Sequence, residues 1–438
     1  MLPARAGIPA AAAALAVGSA YRRVLTTRER SGWPPPAEAV TPERACLETA
    51  RFAARLRPRP RTAALDFAPA TAATVEPWPE GEAFFPRIFS DVEAARSSVH
   101  ILMFGWREGE VGMRMAELLQ RKLAEGVAVR VIVDSFGSKP YKEARPMFTA
   151  LARAGAVIVV NEALPPARLG TYPDALRLDP LQNEVGAADH RKLYVVDGKV
   201  AWTGGAGIED HFRDGRFHDV MVRVTGDVVR QAQAAFLTSL CGHGGPLPID
   251  LAPCFPAPED PGTIPVTLAQ VIPGGFVAAT QAVREQIDGA RRRLDVMNPY
   301  VTDRGMIDRI LASARRGVKV RLVVSERSNS DQATAALKHR YADMLAAGVE
   351  VWELPGTVVH AKVVVADDVA SFGTLNLDAW SLYRNSEIVM IARSAAVAER
   401  LEERLFEPDI ARARRGVPPV ARRARLESRA WSALATYL

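Results

Sequence analysis

His360-Ala361-Lys362-Val363-Val364-Val365-Ala366-Asp367 is the stretch on which the reading of this 438-residue chain turns. A histidine, a lysine two residues on and an aspartate five further carry little alone, but His190-Arg191-Lys192 with Asp197 repeats the spacing. Successive side chains of an extended segment alternate faces, so the His and Lys of each copy point the same way. Two such copies face to face would make a cationic pocket holding two imidazoles, which suits a phosphodiester.

Each copy runs into a hairpin. Lys192 to Val196, Asp197-Gly198 and Lys199 to Trp202 read as two apolar strands about a two-residue turn, and Asp367-Asp368 takes the turn position in the second copy. Asp197 and Asp367 are therefore expected to hold turns, away from the chemistry. Two carboxylates follow the histidines at nearly equal distance, Asp219 after His190 and Glu387 after His360. A reacting imidazole needs an acceptor on its other nitrogen, and each carboxylate is expected to orient the histidine of its own half.

The flanks repeat as well. Helices are expected at Phe84–Arg96, Met113–Glu125 and Met147–Ala154, with strands at Val99–Trp106, Val127–Asp134 and Ala156–Val160. The second half replays them as helices Thr280–Ala290, Asp303–Arg316 and Ser330–Ala347 and strands Arg293–Asn298, Val318–Val324 and Val349–Glu353. Gly126-Val127-Ala128-Val129-Arg130 nearly repeats as Gly317-Val318-Lys319-Val320-Arg321. The offset between the halves is 193 at Gly155 and Gly348 but 170 at the histidines, so the first half carries 23 extra residues within Asn161 to Asp189. That insertion forms either a lid over the pocket or a surface excursion.

The expected organisation is an N-terminal extension over 1–82, a first α/β domain over 83–241, a Pro- and Gly-rich linker over 242–266, a second α/β domain over 267–395 and a basic helical tail over 396–438. Alternating helices and strands imply mixed sheets covered by helices. Within the extension, Pro42 to Leu56 has helical character. Ile8 to Ala20 is apolar but shorter than the ~20 residues that span a bilayer, so an extension is favoured over a cleaved leader. Cys46, Cys241 and Cys254 have no CxxC spacing, and a reducing compartment is the simpler reading. A net charge of +6 favours anionic partners. The tail, with Arg412, Arg414, Arg415, Arg422, Arg423, Arg425 and Arg429 before Trp431, suits either an anionic membrane surface or a solvated helix.

The chemistry expected of these residues is nucleophilic catalysis. One histidine attacks phosphorus, the second serves the departing and incoming alcohols as acid and base, and the lysines stabilise the non-bridging oxygens. No metal or other cofactor is expected, since no carboxylate cluster or HExxH accompanies either histidine.

With Gly373-Thr374-Leu375-Asn376-Leu377-Asp378 and Arg384-Asn385-Ser386-Glu387 after the second motif, the paired motifs resemble those of the phospholipase D superfamily. Thr203-Gly204-Gly205 and Phe217-His218-Asp219 resemble its bacterial cardiolipin synthase branch, and the likeness covers roughly residues 84 to 391. The resemblance implies two similar phospholipase D-like domains sharing one active site at their interface. It also implies metal-free phosphatidyl transfer through a phosphohistidine, with anionic phospholipid such as phosphatidylglycerol as substrate. A monomer, cytoplasmic and peripheral on the inner membrane, is the expected form. His190, Lys192, His360, Lys362, Asp219 and Glu387 are the implied catalytic set, with Asn376, Thr374 and Gly205 at the phosphate. Two departures stand out: Gly205 and Gly207 replace the family's serine and asparagine, and the second motif is one residue shorter between Asp367 and Gly373. Losing that amide removes a phosphate hydrogen bond worth about 1–3 kcal/mol. A phosphodiesterase or nuclease acting on nucleic acid is the alternative reading. A catalytically weak lipid-binding relative is the third.

Overall fold

The computed structural model describes residues 67, 69–139, 146–161, 188–243, 245–248, 250–273, 277–418 and 422–434. The apolar segment at Ile8, the helical piece from Pro42 and nearly all of the insertion after Asn161 lie outside the described residues. Two mixed sheets carry the fold. The first runs in the order β2 (Thr74–Pro79), β9 (Val220–Thr225), β7 (Val200–Gly204), β6 (Lys192–Val196), β3 (Ser98–Met103), β4 (Ala128–Asp134), β5 (Val157–Asn161). The second has nine strands: β1 (Ala70–Ala72), β10 (Ile264–Val271), β17 (Glu387–Arg393), β16 (Val369–Gly373), β15 (Val363–Ala366), β11 (Arg293–Met297), β12 (Lys319–Ser325), β13 (Glu350–Leu354), β18 (Arg414–Arg415). Within these two sheets the strands of β3-β4-β5 and β11-β12-β13 run parallel. A small third sheet pairs β8 (Phe217–His218) with β14 (Val358–Val359), one strand from each half.

The repeated helix-to-strand turns share one cause. Gly126 and Gly317 end their helices at φ 87° and 88°, a left-handed conformation that glycine adopts without strain. The helices of each half cover the outer face of its sheet, packing Phe84, Ile88 and Trp106 in the first and Ile287, Ile310 and Tyr341 in the second. The inner faces meet each other around the helix Val228–Gly242. That helix is buried nearly all round, and Phe236, Leu237 and Leu240 lie among Leu102 and Val195 of one sheet and Leu268 and Met390 of the other.

Three expectations change. The end of the N-terminal extension enters both sheets, β1 pairing with β10 and β2 with β9. Pro77 and Pro79 suit β2 because it is an edge strand, where a missing N–H costs no ladder bond. The last residues of the expected linker, Ile264 to Val266, already belong to β10. The helix expected over Ser330–Ala347 is two, Asp331–His339 and Tyr341–Ala346, and after the break Tyr341 is buried with its hydroxyl donating to Glu353 at 2.9 Å. Among the described residues no helix is long and apolar enough to cross a membrane.

Candidate active site

Each histidine sits at the entry of a central strand, His190 just before β6 and His360 just before β15 with Lys362 between. The two sheets bring these entries together at one end of the interface between the halves. The aspartates of both motifs lie at hairpin turns. Asp197, at φ 53°, accepts the backbone N–H groups of Arg96, Ser97 and Ser98 at 2.7–2.8 Å. Asp367, at φ 52°, accepts those of Arg291, Arg292 and Arg293 at 2.8–3.0 Å. Each aspartate thereby ties its hairpin to the start of the neighbouring strand, β3 or β11, and fixes how far the motif reaches into the cleft.

The carboxylates behind the histidines are exchanged between the halves. His190 Nδ1 lies 3.0 and 3.1 Å from the two carboxylate oxygens of Glu387, and His360 Nδ1 lies 2.7 Å from Asp219. The expectation that each carboxylate orients the imidazole of its own half is therefore corrected. The cause is backbone pairing across the interface. His190 N–H donates to Ser386 O at 3.0 Å, which places the next residue, Glu387, beside the imidazole. His360 N–H donates to His218 O at 2.7 Å, which does the same for Asp219. With Nδ1–H held by a carboxylate, Nε2 carries the lone pair of each ring, and that of His360 lies 3.1 Å from Lys362 Nζ.

Glu387 and Asp219 are fully buried, and Lys192 and Lys362 nearly so. Each lysine donates back to the carbonyl of its own histidine, and Lys362 Nζ also lies 2.8 Å from His360 Nδ1. Burial depresses both lysines, Lys192 to about 8 and Lys362 to about 7, against the pull of Glu387 and Asp219. Burial also lowers His190, opposed by Glu387 and helped by Lys192. His360 falls well below the usual imidazole range, through burial and then the two ammonium groups. Burial raises Asp219, opposed by Lys362.

Of the residues assigned to the phosphate, Asn376 is buried, its side chain bonded to Asp378 and its Oδ1 lacking a partner among the described residues. Thr374 and Gly205 differ from expectation. Thr374 donates its hydroxyl to Glu387 and accepts from Ile388 N–H at 3.0 Å, while Gly205 N–H donates to Asp219 at 3.2 Å. Both serve the carboxylates behind the histidines.

Some neighbours were missed or only glimpsed in the sequence. Phe104 meets His190 edge-on at 4.7 Å and lies under Lys192 Nζ, and Phe212 and Phe217 flank His360. His218 is buried between Glu80 at 2.8 Å and Asp409 at 2.7 Å. Burial alone would depress it, but bonds to these two carboxylates outweigh that and lift it to about 9. Nothing in local sequence links Glu80, His218 and Asp409; only tertiary contact does. His100 is a core residue, stacked on Phe236 and bonded to Gln233. His243 joins Ser239 and Asn161. Among the described residues no three His, Cys, Asp or Glu side chains are grouped as metal ligands.

This fold and this paired site resemble those of phospholipase D-like proteins. The sequence model described as "Cardiolipin synthase, PLD-like domain" matches residues 283–408. Cardiolipin synthase of Geobacillus thermodenitrificans is 29% identical over 322 residues, which are 70% of this chain and 60% of that protein. The enzyme of the same name from Listeria welshimeri is 25% identical over 346 residues, 76% of this chain and 68% of that one. The chain thus spans about 60% of the length of the Geobacillus relative. Phosphatidylserine synthase of Haemophilus influenzae shares the fold at TM-score 0.61 and 12% identity, covering 89% of this chain and all of that one. The chain is thus similar to cardiolipin synthases along most of its length, and its residues 283–408 match their phospholipase D-like domain.

Proposed function

We propose that this protein is a phosphatidyltransferase that moves a phosphatidyl group from one phosphatidylglycerol to the primary hydroxyl of another, forming cardiolipin and glycerol. The observation that carries the reading is the pair of imidazoles, each with Nδ1 on a buried carboxylate of the other half and an ammonium group beside it. The names of its relatives support the choice of substrate.

His190 is the nucleophile. Both oxygens of Glu387 hold its Nδ1–H, Thr374 steadies Glu387, and Nε2 is left to attack phosphorus. As the P–N bond forms, the P–O bond to glycerol breaks and His360 Nε2–H protonates the departing oxygen. An anionic diester between the two lysines lifts the depressed pKa values around it, so the proton on His360 is taken up with the donor. In the second stage His360 removes the proton of the incoming hydroxyl, the new P–O bond forms and the P–N bond breaks. Lys192, Lys362 and Asn376 stabilise the non-bridging oxygens, and the charge they supply means the steps need no metal. The protein acts peripherally, at the cytoplasmic face of a membrane holding its anionic substrate.

Purified protein given vesicles of phosphatidylglycerol is expected to yield cardiolipin and glycerol in equal amounts. Release of phosphatidic acid without cardiolipin, or cleavage of DNA or RNA that depends on His190 and His360, would contradict the reading.

A further inference from the structure

The two halves differ most beside the phosphate. Strand register pairs Gly204 with Met221 and Gly373 with Val389, so Gly207 stands in the first half where Asn376 stands in the second, and Glu209 where Asp378 stands. Asp378 is buried and caps the helix that follows, accepting Ser381 N–H at 2.8 Å. Glu209 caps nothing. The next residue, Asp210, turns away to accept the backbone N–H groups of Glu110 and Val111.

Glu209 instead folds back into the place of the missing amide. A Cβ on Gly207 would lie 2.7 Å from Glu209 Oε2 and 2.6 Å from the Gly105 carbonyl oxygen, and a Cβ on Gly105 would lie 2.5 Å from the same Oε2. The carboxylate therefore fills a notch that only a pair of glycines leaves open. Its Oε1 is anchored by Arg107 Nε at 2.6 Å, and the Glu209 side chain is 12% exposed against 43% for Arg107. Among the described residues Oε2 makes no hydrogen bond, and His211 Nε2 lies 3.9 Å from it. The charge of Glu209 is also among those that support protonated Lys192, which puts it within the field of the catalytic cleft.

We infer that Glu209, anchored by Arg107, accepts a hydrogen bond through Oε2 from a second hydroxyl of the acceptor alcohol, and so selects a polyol acceptor. An acceptor-only oxygen requires a hydrogen-bond donor on the ligand, as a second hydroxyl supplies. Pairing with Arg107 leaves the group near neutral overall, which favours a neutral hydroxyl over an ammonium. The anionic donor is thereby assigned to the Asn376 side and the polyol to the Gly207 side. The acceptor's reacting hydroxyl still loses its proton to His360 as its oxygen bonds phosphorus and the P–N bond to His190 breaks.

The inference rests on the proposed transfer reaction, and the test separates the two. A phosphatidyl donor with a p-nitrophenol leaving group is offered with equal concentrations of glycerol and 1-propanol, and the ratio of phosphatidylglycerol to phosphatidylpropanol is read within each sample. Unmodified protein is expected to favour glycerol, Glu209→Ala to lose that preference by roughly tenfold, as for one hydrogen bond to a charged group, and Glu209→Gln, whose amide oxygen still accepts, to lose less. Arg107→Leu is expected to fall between. Because the measure is a ratio, loss of folded protein does not shift it. An active protein with no preference for glycerol, or a preference unchanged in Glu209→Ala, overturns the inference alone. Failure of unmodified protein to form either product overturns the transfer reaction itself, and the inference with it.

Discussion

Gly205 and Thr374 occupy corresponding positions, and the carboxylate behind each explains why they differ. Aspartate is one methylene shorter than glutamate, so Asp219 reaches His360 only by lying close against the strand that carries Gly205. A Cβ there would sit 2.4 Å from Asp219 Oδ2 and 2.7 Å from the His360 carbonyl oxygen. Glu387 reaches His190 from further back and leaves room for the Thr374 hydroxyl. Gly205→Ser is accordingly expected to cost about 1–3 kcal/mol by overpacking. It should also lower turnover far beyond the loss of folded protein, because the displaced groups are the imidazole and its carboxylate. Turnover per folded molecule, normalised by circular dichroism, checks this; a change no larger than the folding loss would count against it.

The same buried groups set the pH dependence. His190, held below the usual imidazole range, is a free base through neutral pH, so the rising limb of kcat/KM for the donor should lie on the acid side of 6.5. Lys362 and Lys192 must be charged to receive the diester, and in the empty site they lose their protons near 7 and 8. The falling limb is therefore expected between about 7 and 8, with KM rising more than kcat falls, since a bound anion restores the ammonium groups. A rate profile flat from pH 7 to 9 would contradict that assignment.

At the scale of elements, the aspartates of the two motifs are staples for hairpins. Asp197→Ala is expected to leave three backbone N–H groups of Arg96, Ser97 and Ser98 without their acceptor. The substitution should destabilise by about 2–4 kcal/mol while the folded fraction keeps its catalytic groups. A chemical denaturation midpoint that does not move would refute the role. This part of the site was legible in sequence: apolar runs about Asp197-Gly198 and Asp367-Asp368 force hairpins, and hairpins carry His190 and His360 to one edge. Most of the flanking helices and strands were legible for the same reason, since their periodicity is local. What local sequence does not encode is pairing between halves. The β8–β14 contact joins residues 217–218 to 358–359, and that contact, not the repeat, decides that Asp219 serves His360. Repeat symmetry alone suggested the opposite partner.

Across the whole molecule, His218 ties together segments that are far apart in the chain. Glu80 precedes the first helix of the first sheet, Asp409 lies in the helix Glu407–Arg412, and His218 is bonded to both while its carbonyl holds His360. The C-terminal region thereby braces His360. The folded-state pKa of His218, about 9, lies above the unfolded value near 6.5. Its contribution to stability is full below about pH 6.5 and is lost as pH rises through 9. Lys192 and Lys362, with depressed values, contribute in the opposite sense, so the informative quantity is the difference between unmodified protein and His218→Gln. That difference, in melting temperature, is expected to shrink steadily from pH 6.5 to 9.5. A pH-independent difference would mean that His218 is not charged in the fold.

The central claim is that the two halves exchange their orienting carboxylates, and a phosphoenzyme trap tests it most directly. Four variants, His190→Asn, His360→Asn, Asp219→Asn and Glu387→Gln, are mixed with a phosphatidyl donor bearing a p-nitrophenol leaving group, which departs without a general acid. Acid-labile phosphohistidine is then quantified after rapid quenching. The account predicts that the intermediate accumulates in His360→Asn and Asp219→Asn and is absent from His190→Asn and nearly so from Glu387→Gln. Accumulation in His360→Asn together with Glu387→Gln, and its loss from Asp219→Asn, would return each carboxylate to its own half and contradict the account.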